Sequence, residues 1–388
     1  MAKKEIHKGL RGVSIGNSKI CSIDGDEGTL VYRGYDISEL AENVSYEETV
    51  YLLWFGELPD RNQLEAFSAK MAQHRDLDEM VWGVLEALPA NLHPMEALRT
   101  GVSVLSCVDP ESEDHGWEEN VTKAMRLTAK LPTIIANYHR LREGRQAVRP
   151  DLSMSHAENF LYMLNGERPS ETAEKSMDVC LVLMAEHEVN ASTFSARVTA
   201  STLSDVYSAI TTAIGTLKGP LHGGANQRAM EMMIEIGEPD QVEAYVDAAL
   251  AAKKRIMGFG HALYTMADPR SYYLHNMLRD LSEAANDVRW LRIAERIAEV
   301  VEARVPGLYP NVDFFAAPLM YMLGIPIDTF TPLFAMSRIA GWTAHVMEQY
   351  ENNYLLRPVA NYAGPMDRKF IPIEARETSP NPFLKGAS

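Results

Sequence analysis

Three short segments in the second half of the chain each set one acid–base side chain in a frame of glycine or proline. They are Gly219-Pro220-Leu221-His222-Gly223-Gly224, Gly258-Phe259-Gly260-His261 and Pro310-Asn311-Val312-Asp313. Histidine is the side chain most easily poised between protonation states near neutral pH, and a carboxylate is its natural counterpart as a base. Glycine permits a tight turn or a close backbone approach to a ligand, which an ordinary helix surface does not need. A lone histidine is usually structural. The Gly223-Gly224 pair argues against that for His222, because a merely packed ring needs no close approach on its C-terminal side.

Asp313 stands before two phenylalanines, surroundings that desolvate a carboxylate and raise its basicity. The competing reading is an N-cap for the helix that follows. Lys253-Lys254-Arg255 precedes Gly258-Phe259-Gly260. This basic triplet reads either as a phosphate patch or as a helix C-terminus complementing its own dipole. As a dinucleotide fingerprint the Gly-x-Gly fails, since it lacks a third glycine and follows a helix.

Three arginines have peculiar settings. Arg270 follows Asp268-Pro269, Arg338 lies in an apolar helix from Phe334 to Trp342, and Arg357 precedes Pro358. A charge among apolar residues is costly unless paired, so each is a candidate clamp for a carboxylate. Glu186-His187-Glu188 places one more histidine in polar company. A metal site is a poor reading there, because adjacent side chains diverge and no HExxH occurs. Neither a G-x-S-x-G elbow nor a P-loop is present, which argues against nucleophilic hydrolysis and nucleotide hydrolysis. The remaining kit suits proton abstraction beside a carbonyl, with neutral donors stabilising the enolate and arginines holding a polycarboxylate.

The elements that must position this kit are helical. Ile20–Ile23 and Thr29–Tyr32 flank Asp24-Gly25-Asp26-Glu27-Gly28, a hairpin pattern. After Gly34 the pattern turns helical, with a capping-box start at Ser45-Tyr46-Glu47-Glu48 and proline-led starts after Pro59 and at Pro94. Helical periodicity recurs at 124–138, 157–164, 171–186, 201–216, 241–255, 290–305 and 332–350, and a new helix is expected near Ala225. The fold class is therefore all-α with a small N-terminal β-hairpin. Strands do not alternate with helices, so a parallel sheet is not expected. Ser379-Pro380-Asn381-Pro382 reads as an exposed tail.

With 388 residues, 46% of them hydrophobic, the chain can bury a large core and form more than one domain. A formal charge of −16 argues against wrapping nucleic acid or docking on anionic lipid. Cys21, Cys107 and Cys180 are odd in number and far apart, the pattern of a reducing compartment. The N-terminal residues have no apolar core and no run reaches membrane-spanning length, so a cytoplasmic protein is expected.

The motifs together identify a family. GPLHGGAN (219–226), GFGHxxY (258–264) with DPR (268–270), PNVDF (310–314), SRxxGWxAHxxEQ (337–349) and RPxxxYxGP (357–365) occur in order and at the spacing of citrate synthases. The chain resembles that family from Lys8 to Ile373. The resemblance implies a two-domain helical fold, with a large domain of residues 1–221 and 327–388 and a small one of residues 222–326 that closes over the site. It implies the condensing step of the tricarboxylic acid cycle, in which acetyl-CoA and oxaloacetate give citrate and CoA. Asp313 would take a proton from the acetyl methyl group, His222 would hydrogen-bond the thioester oxygen, and His261 would polarise the oxaloacetate carbonyl. His187, Arg270 and Arg338 would hold oxaloacetate with His222 and His261, and Arg357 would reach the other subunit's site in a homodimer. Lys254, Arg255, Gly258 and Gly260 fall where CoA contacts are expected. No metal or further cofactor is implied, since the CoA thioester is itself a substrate.

Short members of the family usually read GHRVY, whereas here the run is His261-Ala262-Leu263-Tyr264-Thr265-Met266. Tyr-Thr before DPR, and Arg357-Pro358-Val359-Ala360-Asn361-Tyr362, look more like 2-methylcitrate synthases, which accept propionyl-CoA. Alanine after the histidine also occurs in mitochondrial citrate synthases. The favoured reading is citrate synthase, with 2-methylcitrate synthase or dual specificity as the alternative. A non-catalytic helical scaffold predicts loss of a catalytic group, and His222, His261 and Asp313 are all present.

Overall fold

Asp24 turns the chain by accepting the backbone N–H groups of Asp26 and Glu27 on one carboxylate oxygen, each at 3.0 Å. In the computed structural model, which describes residues 5–10 and 12–376, this turn joins β1 (Cys21–Asp24) to β2 (Thr29–Tyr32). The strands pair antiparallel with Cys21 opposite Tyr32, and a short β3 (Tyr35–Asp36) extends the sheet to three strands. Leu30 and Tyr32 alternate inward and are fully buried.

Helices follow without interruption by further strands among the described residues. Asp36 caps α1 (Ile37–Asn43), and the Ser45/Glu48 capping box opens α2 (Tyr46–Phe55) as the sequence pattern requires. A second capping box, Asp60 with Gln63, opens α3 (Arg61–Gln73), followed by α4 (Glu79–Ala87). Pro94 is the first residue of α5 (Pro94–Val108), and α6 (Trp117–Arg142) is longer at both ends than its periodic core. Next come α7 (His156–Asn165) and α8 (Glu171–Met184). The latter ends two residues earlier than its periodicity suggests, which frees Glu186 and His187 from helical geometry.

The expected helix over 201–216 begins later. The chain instead forms α9 (Ala191–Ala200), turns, and restarts at Asp205, whose carboxylate caps α10 (Val206–Leu217). Then follow α11 (Ala225–Ile236), α12 (Val242–Ala251), α13 (Pro269–Ala285), α14 (Arg289–Arg304), α15 (Val312–Met322) and α16 (Phe330–Glu351). Helix α16 is apolar nearly all round because it is central, packing on α2, α5, α6, α8, α9 and α10. No helix of the described residues is long and apolar enough to cross a membrane.

Residues Asn17–Leu356 form one compact unit, and the described parts of the two terminal segments, 5–10, 12–16 and 357–376, belong to another. The described part of 357–376 has one short 3₁₀ turn, Ile373–Ala375, and exposes Val359, Tyr362, Met366, Phe370, Ile371 and Ile373. Ser379–Pro382 lies outside the described residues.

Candidate active site

His222 sits on the irregular junction between α10 and α11. Gly223 is required there: a Cβ would lie 2.2 Å from the Leu217 carbonyl oxygen and 2.9 Å from a methyl of Thr331. Arg228 staples the loop from α11, donating from Nε to the Gly224 carbonyl (2.9 Å) and from Nη2 to that of Pro220 (2.7 Å). The His222 Nε2 atom accepts the backbone N–H of Ser192 (3.2 Å) and lies 2.8 Å from Ser192 Oγ. A backbone amide can only donate, so the ring proton is on Nδ1, which leaves that nitrogen as a donor. Burial, with Arg338 adding to it, pulls the imidazole down to about 4, so it is neutral at pH 7.

His261 is held in the opposite tautomer. Its Nδ1 accepts the backbone N–H groups of Leu263 (3.1 Å) and Tyr264 (3.3 Å), so Nε2 carries the proton. Burial and the nearby Arg270 pull this ring down to about 4 as well. The His187 ring meets His261 edge-on at 5.1 Å between centroids, and its Nε2 lies 3.3 Å from the Tyr264 hydroxyl. Burial, then Arg270 and Arg338, hold His187 far below an ordinary histidine. The group is therefore a set of neutral imidazoles beside fixed cations.

Asp313 occupies the first turn of α15, but Asn311 is the cap: its Oδ1 accepts the Asp313 N–H (3.0 Å). The carboxylate is thereby left free for other work. Burial is the main cause that raises it to about 6, against the opposing pull of Arg270 and Arg338. Asn311 also donates from Nδ2 to the Gly260 carbonyl (2.8 Å). Two backbone bonds, Asn311 N–H to the Gly258 carbonyl (2.8 Å) and Gly260 N–H to that of Tyr309 (2.9 Å), form an antiparallel bridge of Phe259 with Pro310. The second and third sequence motifs are thus one assembly. Gly258 has φ +80°, and a Cβ there would lie 2.8 Å from that of Phe314, so this glycine serves the packing of the bridge. Gly260, with φ +76°, meets the same backbone requirement.

Arg270 is fully buried. Asp268, the N-cap of α13, receives its Nε (2.9 Å) and Nη2 (2.8 Å). The side-on pairing leaves the Nη1–Nη2 edge of the guanidinium for another anion. Burial disfavours the charge of Asp268, but Arg270 outweighs it and holds the carboxyl below its ordinary range. Arg338 on α16 is also buried, donates Nε to the Met184 carbonyl (2.8 Å) and stacks over Phe334 at 4.7 Å. Among the described residues no carboxylate pairs with it at salt-bridge distance. Glu186, the main opposing charge felt by Arg338, is instead bonded to His345 at 3.0 Å. A buried guanidinium without a counter-ion is a site for one.

Arg357 is exposed and belongs to the terminal unit. Lys254 and Arg255 are exposed in the segment between α12 and Gly258. Several positioning groups escaped the sequence reading: Ser192, Tyr264, Arg228, Asn311, and the pairing of Asp268 with Arg270. Asp268 had a signal, since Asp-Pro starts a helix and sets Arg270 two residues on. Ser192 had none, because it meets His222 from 30 residues away. A cavity of about 420 Å³ lined by Lys19, Arg33, Trp54, Trp117, Glu348 and Glu351 contains none of these residues.

Comparison with known proteins establishes the family. Residues 9–359 match the family model described as citrate synthase, C-terminal domain. A citrate synthase of Haloferax volcanii is 50% identical, over 96% of this chain and 99% of its own. A 2-methylcitrate synthase of Corynebacterium glutamicum is 43% identical, over 97% and 100%. The solved citrate synthase of Thermoplasma acidophilum, in ternary complex with carboxymethyl coenzyme A and oxaloacetate, superposes with a TM-score of 0.90. It is 33% identical and covers 96% of this chain and all of that one. The chain belongs to the citrate synthase family.

Proposed function

We propose that the protein condenses acetyl-CoA with oxaloacetate and hydrolyses the resulting citryl thioester to citrate and CoA. The observation that carries this is the pairing of two neutral histidines, fixed as opposite tautomers, with one carboxylate of raised basicity. Asp313 removes a proton from the acetyl methyl while His222 Nδ1–H hydrogen-bonds the thioester oxygen, so the charge of the enolate is met by a neutral donor. His261 Nε2–H polarises the keto carbonyl that the enol carbon attacks, forming the new C–C bond. His187, Arg338 and the open edge of Arg270 hold the oxaloacetate carboxylates. Water then cleaves the thioester and CoA leaves.

The two-domain division at 221/222 and 326/327 fits the two junctions. Thr331 Oγ1 donates to the Gly223 carbonyl (3.1 Å), so the crossing points touch. Each is tied to the large domain by an ion pair, Lys218–Glu96 at 2.5 Å and Arg142–Asp328 at 2.6 Å. Leu221, beside His222, is 97% exposed, which suits a surface that acyl-CoA or closure covers. Lys254 and Arg255 are placed to meet CoA phosphates. The apolar side chains exposed along 359–373 suit a C-terminal arm that packs on a second copy, with Arg357 entering that copy's site. The three cysteines are free, which supports a reducing, cytoplasmic setting.

Propionyl-CoA is the alternative donor, favoured by the 43% identity to a 2-methylcitrate synthase. One methylene shifts specificity by only about 1–3 kcal/mol. The test is thiol release with oxaloacetate present and each acyl-CoA in turn. Release from acetyl-CoA with the higher kcat/KM supports the first reading, a higher value for propionyl-CoA the second, and release from neither refutes both.

A further inference from the structure

The turn of the N-terminal hairpin lies against the loop that carries His261. Thr265 donates its backbone N–H to the Gly25 carbonyl (2.9 Å), and its hydroxyl lies 3.2 Å from the same oxygen and 2.9 Å from Asp26 Oδ1. The approach is close enough to exclude a side chain: a Cβ on Gly25 would lie 2.1 Å from the Leu263 carbonyl oxygen. Gly28, at the other end of the turn, has φ +67°, and a Cβ there would lie 3.3 Å from the Ala267 carbonyl oxygen. The contact runs the length of the loop from 263 to 267.

That loop does specific work for the site. The Leu263 and Tyr264 N–H groups both donate to His261 Nδ1, and the Tyr264 hydroxyl meets His187. Thr265 is the next residue, and the hairpin holds it from outside. Ala262, Leu263, Thr265 and Met266 are exposed, so the loop has little burial of its own to hold it in place.

We propose that the β1–β2 turn is a positioning element for the keto-acid half of the site. Through Gly25 and Asp26 it clasps Thr265, and so keeps the Leu263 and Tyr264 amides aimed at His261 Nδ1 and the Nε2 proton aimed at the substrate carbonyl. Resting on the proposed function and its domain division, the clasp also joins the large domain to the small one, and is complete only when the cleft is closed. Keto-acid affinity and the competence of His261 are then set partly by a turn more than 230 residues away in sequence.

The test uses Gly25→Ala, Thr265→Val and Thr265→Ser in the full-length protein. Gly25→Ala forces the loop outward, and kcat/KM for oxaloacetate falls by about 10-fold or more. Thr265→Val removes the hydroxyl contacts and costs about 3-fold, while Thr265→Ser restores them and stays within about 2-fold of the parent. The loss appears mainly in KM for oxaloacetate, and KM for acyl-CoA measured at saturating oxaloacetate changes little. Amide hydrogen exchange, read at saturating oxaloacetate so that the cleft is closed, speeds up in the 259–268 segment of Gly25→Ala and is unchanged in α16. Unchanged exchange in that segment overturns the proposal, and so does faster exchange with unchanged oxaloacetate kinetics. Should the parent enzyme turn over neither acyl-CoA, the functional reading fails, and oxaloacetate binding by calorimetry with exchange decides the clasp alone.

Discussion

Asp268 and Val312 share a hydrogen bond of 3.1 Å that ties the buried Asp268–Arg270 pair to the helix that carries Asp313. The Asp268 Oδ2 atom receives both Arg270 Nη2 and the Val312 N–H, one residue before Asp313. A single carboxylate thus orients the Arg270 guanidinium and fixes the start of α15.

Asp268→Asn should therefore do more than weaken one contact. It leaves Arg270 buried and without its partner charge, a loss of about 3–5 kcal/mol. The denaturant midpoint falls sharply at pH 7. Because Asp268 ionises more readily folded than unfolded, its contribution is present above the ordinary carboxylate range and lost as pH falls through it. Parent and variant midpoints should therefore converge in acid. A variant as stable as the parent at pH 7 overturns this role.

Asp313→Asn separates catalysis from stability. Loss of the base lowers kcat by about 10²–10⁴-fold while calorimetric oxaloacetate binding stays near parent. The folded carboxyl titrates near 6, above its unfolded value, so the ionised form is disfavoured by the fold. Stability from this group is full below the unfolded pKa and is lost as pH rises through about 6. At pH 8 the variant is accordingly more stable, by on the order of 2–3 kcal/mol, and the gain disappears near pH 4. In the parent, kcat/KM falls on the acid side through one group near 6. A two-proton acid limb contradicts the assignment.

Histidine burial sets the stability profile below neutrality. His222 and His261 titrate near 4 and His156 near 3, each mainly because of burial. Their stabilisation is present above the unfolded value of 6.5 and is lost as pH falls toward the folded values. Between pH 6 and 4 the unfolded chain holds protons on these three histidines and on His187 that the fold refuses, while Asp313 offsets one. Unfolding free energy should then fall by about 4 kcal/mol per pH unit. A flat urea midpoint across this window contradicts neutral, buried rings.

Ser192→Ala tests the support of His222. The backbone N–H at 192 remains and still fixes the tautomer, but the hydroxyl 2.8 Å from Nε2 is lost and the Trp342 indole N–H loses its acceptor at 3.1 Å. The expected cost is about 1–3 kcal/mol in stability and a roughly 3- to 10-fold fall in kcat/KM for acyl-CoA. Titration of the His222 ring by NMR should keep the Nδ1–H form. A switch to Nε2–H shows that the hydroxyl, not the amide, sets it.

How much of this was legible beforehand follows distance along the chain. The hairpin, the capping box at Ser45 and the proline start at Pro94 are written within a few residues, and each appears where its pattern lies. The break at 201–205 was misread because the apolar rhythm of 201–216 outweighed the local cap at Asp205. His222, His261 and Asp313 stand out in the sequence through their glycine and proline frames. Their supports do not, since Ser192, Tyr264 and Asn311 are ordinary residues until folding brings them to a histidine or a carbonyl. The opposite tautomers of His222 and His261 depend on backbone amides, which carry no residue identity.

The Phe259–Pro310 bridge has a consequence for redesign. His261 and Asp313 ride on one welded piece of backbone, so the spacing between these two side chains is not adjustable one side at a time. His222 stands on a separate joint, hinged by Gly219–Gly224 and braced by Ser192 and Arg228. If the proposed function holds, room for a longer acyl chain is to be sought around 192 and 217–228, where one loop can shift while the His261–Asp313 piece stays put.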